Sequence, residues 1–202
     1  MATTGIILAG GLARRLGGVE KALIKVADAP LLQHVLTRVQ PQCDALALSA
    51  NGDPSRFSAY GLEVLADPLP DHQGPLAGVL AGLDWAAGRG AEQLATVPVD
   101  TPFLPSDLVA RLEGAAGPKG AAIAASMVNG ASRAQPVVGL WPVSFRDELR
   151  EILSGGQRRV LAAAKAAGAV EVLFEREDYN VDPFFNINTP EDVAKAERLA
   201  TR

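Results

Sequence analysis

Apolar runs alternate along this chain with longer segments in which apolar residues recur every third or fourth position. The runs predict strands at 4–8, 44–49, 62–66, 94–99, 121–126, 134–140 and 170–174. In "PLLQHVLTRVQ", Leu31, Leu32, Val35, Leu36 and Val39 fall on one helical face, with Pro30 suited to the first helical position. "NTPEDVAKAERLA" predicts a last helix with Thr189 as N-cap, Pro190 at its first position, and Glu191 and Asp192 near the positive helix end. "EGAAGPKG" (113–120) reads as an exposed loop, and the topology of 118–160 is the least legible. No internal repeat or long linker interrupts the pattern. The expectation is an α/β chain, one Rossmann-like domain over 1–202, with a mostly parallel, mixed sheet and helices on both faces.

Composition narrows the partners. The 202 residues are 48% hydrophobic and 21% charged, ordinary for a domain with a sizeable core. A net charge of -4 and a pI near 5.2 disfavour nucleic acid or an anionic membrane surface as partner. A bound phosphate must therefore be held by local charge. Cys43 is the one cysteine, so neither an internal disulfide nor a thiolate metal cluster is available, which suits a reducing compartment. With no basic leader and no apolar run of the ~18 residues a membrane span takes, the chain is expected to be cytoplasmic. It is also expected to be a monomer, since no strongly apolar helix face announces an interface.

Residues 6–22, "ILAGGLARRLGGVEKAL", begin within the first strand and continue past it with glycines and cations. Gly10, Gly11, Gly17 and Gly18 let backbone N–H groups approach phosphate oxygens. Arg14, Arg15 and Lys21 supply charge to the same polyanion, arginine as a fork of donors and lysine as a point charge. The stretch reads as a triphosphate cradle. Its spacing matches neither the P-loop nor the dinucleotide fingerprint, and a Gly-rich surface turn with solvated charges is the bland alternative.

Further polar residues stand at strand ends, where open α/β sheets bind ligands. Ser49 and Asn51 follow the second strand, although Asn51-Gly52-Asp53-Pro54 also suits a plain turn. Asp67 ends the third strand, and "GPLAG" from Gly74 to Gly78 leads into a helix. Asp100 ends the fourth, well placed to hold Mg²⁺ among substrate phosphates and water, or else to cap a turn before Thr101-Pro102. His34 and Cys43 read as packing residues and His72 as a loop residue. No activated nucleophile emerges. A phosphate acceptor fits that absence, being largely dianionic near neutral pH with a second pKa of about 6.

On these segments the chain resembles nucleotidyltransferases that move an NMP from an NTP onto an acceptor phosphate, and within them the molybdenum cofactor guanylyltransferases. Leu8-Ala9-Gly10-Gly11, Arg15, Gly17 and Lys21 resemble the signature loop of that family. The resemblance implies that GTP meets Leu8, Ala9, Gly10, Gly11, Lys21, Ser49, Asn51, Asp67, Gly74 and Asp100. It implies Arg15, Lys21 and Asp100 as catalytic residues, Asp100 as the Mg²⁺ ligand, and Asp67 as the guanine contact. Arg158 and Arg159 of "GGQRRVL" and Asn186 and Asn188 of "FFNINTPED" are implied on the pterin or phosphate side. Family members often carry Asn where this chain has Ser49. The implied reaction joins GMP from GTP to molybdenum-molybdopterin, releasing pyrophosphate, with molybdoenzymes or their chaperones as transient partners. A molybdopterin cytidylyltransferase, a sugar-1-phosphate nucleotidyltransferase and a GTP-binding sensor remain the alternatives.

Overall fold

Thr3–Leu8 (β1) is buried along its whole length, as a strand covered on both faces must be, and it lies in the interior of the sheet. The computed structural model describes residues 2–10, 12–13, 19–69, 74–128, 130–175 and 181–200. Among these, the sheet also holds β2 (Ala45–Ser49), β3 (Glu63–Leu65), β4 (Gln93–Pro98), β5 (Ala122–Val128), β6 (Ala131–Pro142) and β7 (Val170–Phe174). Their spatial order is β7-β5-β6-β4-β1-β2-β3. Every pairing is parallel except those of β6, which runs antiparallel to both β4 and β5. The strand order reverses at β1, between β2 and β4, and a switch point of this kind opens a crevice beyond the strand ends.

Six helices are described: α1 (Leu31–Val39), α2 (Pro75–Gly88), α3 (Leu108–Ala115), α4 (Arg146–Ser154), α5 (Val160–Ala166) and α6 (Pro190–Ala200). One face of the sheet packs against α1 and α3, the other against α2, α4 and α5. The five apolar α1 residues expected on one face are all buried, Leu32, Val35, Leu36 and Val39 there and Leu31 in a separate cluster with Val26, Phe103, Ile187 and Ala196. Burial of each such side chain is worth roughly 1.5–3 kcal/mol. Pro30 differs from expectation: it is extended and stands before the helix as N-cap, because it pairs with Lys25 in a short ladder.

Helix α2 sits unusually close to the sheet. A Cβ on Gly78 would lie 2.6 Å from Ser49 Oγ and 2.7 Å from Leu8 Cδ2. At Gly74 the chain takes φ 71°, ψ -162°, a conformation essentially reserved for glycine, to turn into this helix.

The 118–160 region resolves into the β5–β6 pair, then α4. Strand β6 runs further than its apolar core indicates, since Ala131, Ser132 and Arg133 extend it into solvent without an apolar signature. Register shifts between Gln135 and Gly139, where Pro136 has no N–H to give the ladder. Thr96, fully buried on β4, serves this bulge. Its hydroxyl donates to the Val137 carbonyl at 2.9 Å and accepts the Trp141 indole N–H at 3.0 Å.

Candidate active site

At the switch point a cavity of about 450 Å³ opens over the carboxyl ends of β1, β2 and β4, a volume usual for small-molecule sites. Backbone continues past the strand ends to form its floor. The Ala9 amide donates to the Ser49 carbonyl at 2.9 Å, and Val99 to the Leu8 carbonyl at 3.1 Å. Leu8, Ala9 and Gly10 thus line the cavity from β1, and Ser49 and Asn51 from β2. Gly74 enters from the start of α2, together with Asp67 beyond β3.

Asn51 and Asp67 form a two-point clamp. The Asn51 amide donates to Asp67 Oδ2 at 2.8 Å, and the Asp67 backbone N–H donates to Asn51 Oδ1 at 2.9 Å. Both ends of the amide are engaged, which fixes its orientation and aims the carboxylate. Across the cavity, Lys21 and Asp100 make an ion pair at 2.5 Å, with each side chain only 13–15% exposed. Lys21 also donates to Asn188 Oδ1 at 2.7 Å. The other carboxylate oxygen, Asp100 Oδ1, is buried and has no hydrogen-bond partner among the described residues.

The segment carrying the two asparagines is pinned from below. Phe184 meets Phe174 edge-on at 5.4 Å, Ile187 is fully buried, and the Ile187 amide donates to the Asp100 carbonyl at 3.0 Å. Asn186 then reaches the cavity, and Asn188 reaches Lys21. Thr189 caps α6 as expected, accepting the Asp192 amide at 3.2 Å. The Asp192 carboxylate takes the Asn188 and Thr189 amides in return. Those N–H groups, that of Asn188 foremost, hold the Asp192 carboxyl below its ordinary pKa.

Other expectations resolve less centrally. Arg158 and Arg159 stand at the exposed start of α5 and do not line this cavity; Arg158 donates to the Leu153 carbonyl at 2.8 Å, closing the end of α4. Gly11, Arg14, Arg15, Gly17, Gly18 and His72 lie outside the described residues. His34 Nε2 bonds the Val26 carbonyl at 2.8 Å, a packing role. Cys43 is half-buried against the core, and its thiol pKa is pushed up to about 12, by burial first and then by Asp44 and Glu113.

Sequence reasoning missed one wall. Gln135, Pro136, Val137 and Val138 line the cavity from the β6 bulge. The Gln-Pro step inside an apolar strand pattern was the available signal, because proline in a strand marks an edge or a bulge.

Comparison with known proteins places this geometry. The MobA-like NTP transferase domain matches residues 5–169. A molybdenum cofactor guanylyltransferase of Bradyrhizobium sp. is 48% identical, covering 98% of this chain and 93% of its own. One from Rhodopseudomonas palustris is 49% identical over 100% of this chain and 95% of its own. The chain belongs to the molybdenum cofactor guanylyltransferase family. It is therefore a nucleotidyltransferase, on the fold that the resemblance implied. The solved molybdopterin-guanine dinucleotide biosynthesis protein A of Archaeoglobus fulgidus superposes with a TM-score of 0.72 at 24% identity, covering 98% of both chains. In this guanylyltransferase-family chain, Lys21 and Asp100 are in contact and both line the crevice at β1 and β4.

Proposed function

We propose that the chain transfers GMP from GTP to the terminal phosphate of molybdenum-molybdopterin, forming the guanine dinucleotide cofactor and pyrophosphate. An oxygen of the acceptor phosphate attacks the α-phosphorus, a new P–O–P linkage forms, and the α–β P–O bond breaks as pyrophosphate leaves. The observation that carries this reading is the pairing of two walls across one cavity. Lys21 and Asp100 stand on one side, the Asn51–Asp67 clamp on the other.

On the clamp side, Asp67 presents a carboxylate to the N1–H and N2 amino donors of guanine, a donor pair adenine lacks. Leu8, Ala9, Gly10 and Gly74 offer close backbone approach, with Ser49 beneath the nucleotide. On the other side, Lys21 offsets the negative charge of the phosphates, the dominant problem in phosphoryl transfer, a role the family resemblance extends to Arg15. Asn186 and Asn188, with Arg158 and Arg159 further out, serve the pterin or acceptor-phosphate side. No general base is required of the protein, because the acceptor phosphate is already largely dianionic.

The residues present fit Mg²⁺. A buried carboxylate oxygen, Asp100 Oδ1, lacks a protein partner among the described residues, and no cluster of three or more potential ligands exists there. A single carboxylate suits a hard ion that takes its remaining oxygens from substrate phosphates and water. When bound, such an ion neutralises and aligns the triphosphate. We further read the whole chain as one nucleotidyltransferase domain that works in the cytoplasm as a monomer, handing its product to molybdoenzymes or their chaperones.

The test follows label from α-³²P-GTP into molybdenum-loaded molybdopterin in the presence of Mg²⁺, with CTP, ATP and UTP as competitors. Labelled pterin dinucleotide, poorly competed by CTP, is expected. Efficient CTP use would instead assign the cytidylyl reaction, and transfer to a sugar phosphate alone would assign the sugar-nucleotide reaction. GTP binding with no pyrophosphate released from any acceptor would leave a sensor.

A further inference from the structure

We propose that Arg56 is a positioning residue of the nucleotide site, setting the separation of its two walls from outside the cavity. The assignment rests on the nucleotide reading above and concerns a residue that does not itself line the cavity. Arg56 lies on the short 3-10 helix Pro54–Tyr60, directly after the Asn51-Gly52-Asp53 turn.

Its guanidinium is held at three points. Nη2 donates to the backbone carbonyl of Asn51, the residue whose side chain clamps Asp67. Nη1 stands 3.4 Å from a carboxylate oxygen of Glu20, the residue immediately before Lys21. The group also lies over the ring of the fully buried Phe57, 4.9 Å from its centroid. One side chain therefore ties the backbone behind the base-side clamp to the segment that presents the phosphate-side lysine.

Local structure is arranged around this contact. Gly52 turns at φ 86°, and a Cβ there would stand 3.3 Å from Arg56 Nη1, crowding the guanidinium. Asp53 accepts the Ser55 amide at 2.9 Å and the Ser55 hydroxyl at 2.6 Å, which fixes the start of the helix that carries Arg56. A planar fork reaches two acceptors at once, which a lysine ammonium does less well. The consequence is specific: Arg56 matters for a ligand that spans both walls and little for one that touches a single wall.

The experiment compares the full chain with Arg56→Ala, Arg56→Lys and Glu20→Gln. Displacement of a fluorescent GTP analogue is measured with GTP, GMP and tripolyphosphate in Mg²⁺, beside thermal melts. Arg56→Ala is expected to weaken GTP about five- to tenfold, as loss of a charged hydrogen bond and an ion pair implies, and each fragment about twofold or less. Arg56→Lys should recover part of the loss, and Glu20→Gln should weaken GTP by about two- to threefold. If Arg56→Ala does not fold, these two variants carry the comparison. Unchanged GTP affinity would overturn the proposal, as would equal weakening of all three ligands together with a lower melting temperature. A wild-type chain that does not bind GTP would overturn the nucleotide reading itself, and Arg56 with it.

Discussion

Lys21 Nζ and Asp100 Oδ2 meet at 2.5 Å although 79 positions separate them in the chain. The contact joins the exit of the Gly-rich segment to the end of β4. It leaves the second Asp100 oxygen buried and unpaired within the described protein. The pair thus has one oxygen committed to the lysine and one in reserve.

Asp100→Asn removes the charge while keeping the shape, and kcat/KM for GTP should fall about 10²–10³-fold, the usual loss for a charge-stabilising group in transfer chemistry. Lys21→Gln should cost a similar factor. The double variant should be little worse than either alone, because groups that act as a unit are non-additive. Pyrophosphate release across a Mg²⁺ titration reads all three.

Asp67→Ala should flatten nucleotide preference rather than abolish turnover. A lost bidentate base contact is worth about 1–3 kcal/mol of discrimination, or about a five- to 150-fold change in the GTP:CTP ratio of kcat/KM. Asn51→Ala should move the same ratio in the same direction, since the amide orients the carboxylate. Initial rates with the two nucleotides in parallel decide it.

Gly78→Ala forces a methyl group to within 2.6 Å of Ser49 Oγ, so α2 must retreat from the sheet. Overpacking of this kind destabilises by about 1–3 kcal/mol, and because Gly78 lines the cavity the KM for GTP should rise as well. Gly88→Ala in the same helix meets nothing within 4 Å and should be neutral or slightly stabilising. Urea melts of the two variants make the comparison.

Thr96→Val keeps the shape and deletes the hydroxyl, which leaves the Val137 carbonyl and Trp141 Nε1 without their partner. Leaving the buried indole N–H unsatisfied and the half-buried carbonyl without its donor should cost about 1–3 kcal/mol. The loss should be accompanied by weaker ligand binding, because the bulge forms a cavity wall. Denaturant midpoints and GTP titrations check the two effects together.

The Cys43 thiol carries a pH prediction. Its folded-state pKa, near 12, stands above the ordinary thiol value of about 8.5, so folding favours the protonated form. The resulting stability is fully present below the ordinary value and is lost as pH rises toward 12. Urea melts from pH 7.5 to 10.5 should fall more steeply for the wild type than for Cys43→Ala. Tyr60, whose pKa burial also raises, is common to both chains.

Sequence alone determined most of the elements and pointed to about half of the residues that line the cavity. The buried run of β1, the five-residue apolar face of α1 and the Thr189–Pro190 start of α6 are written in local periodicity and capping chemistry, which neighbouring residues decide. Asn51, Asp67 and Asp100 drew attention because they follow apolar strands, and Lys21 because it closes a Gly-rich, cationic stretch; all four line the cavity.

Tertiary structure alone decided who touches whom. The reversal of β6, the Gln135–Gly139 bulge with its Thr96 support, and the cavity wall they form depend on strand order, which no local pattern encodes. The Lys21–Asp100–Asn188 contact and the Arg56 tie to Glu20 and Asn51 arise only when loops from distant strands converge at one sheet end. Periodicity reports which face of an element is buried. Convergence depends on the order in which those elements pair, and that is set by packing over the whole core.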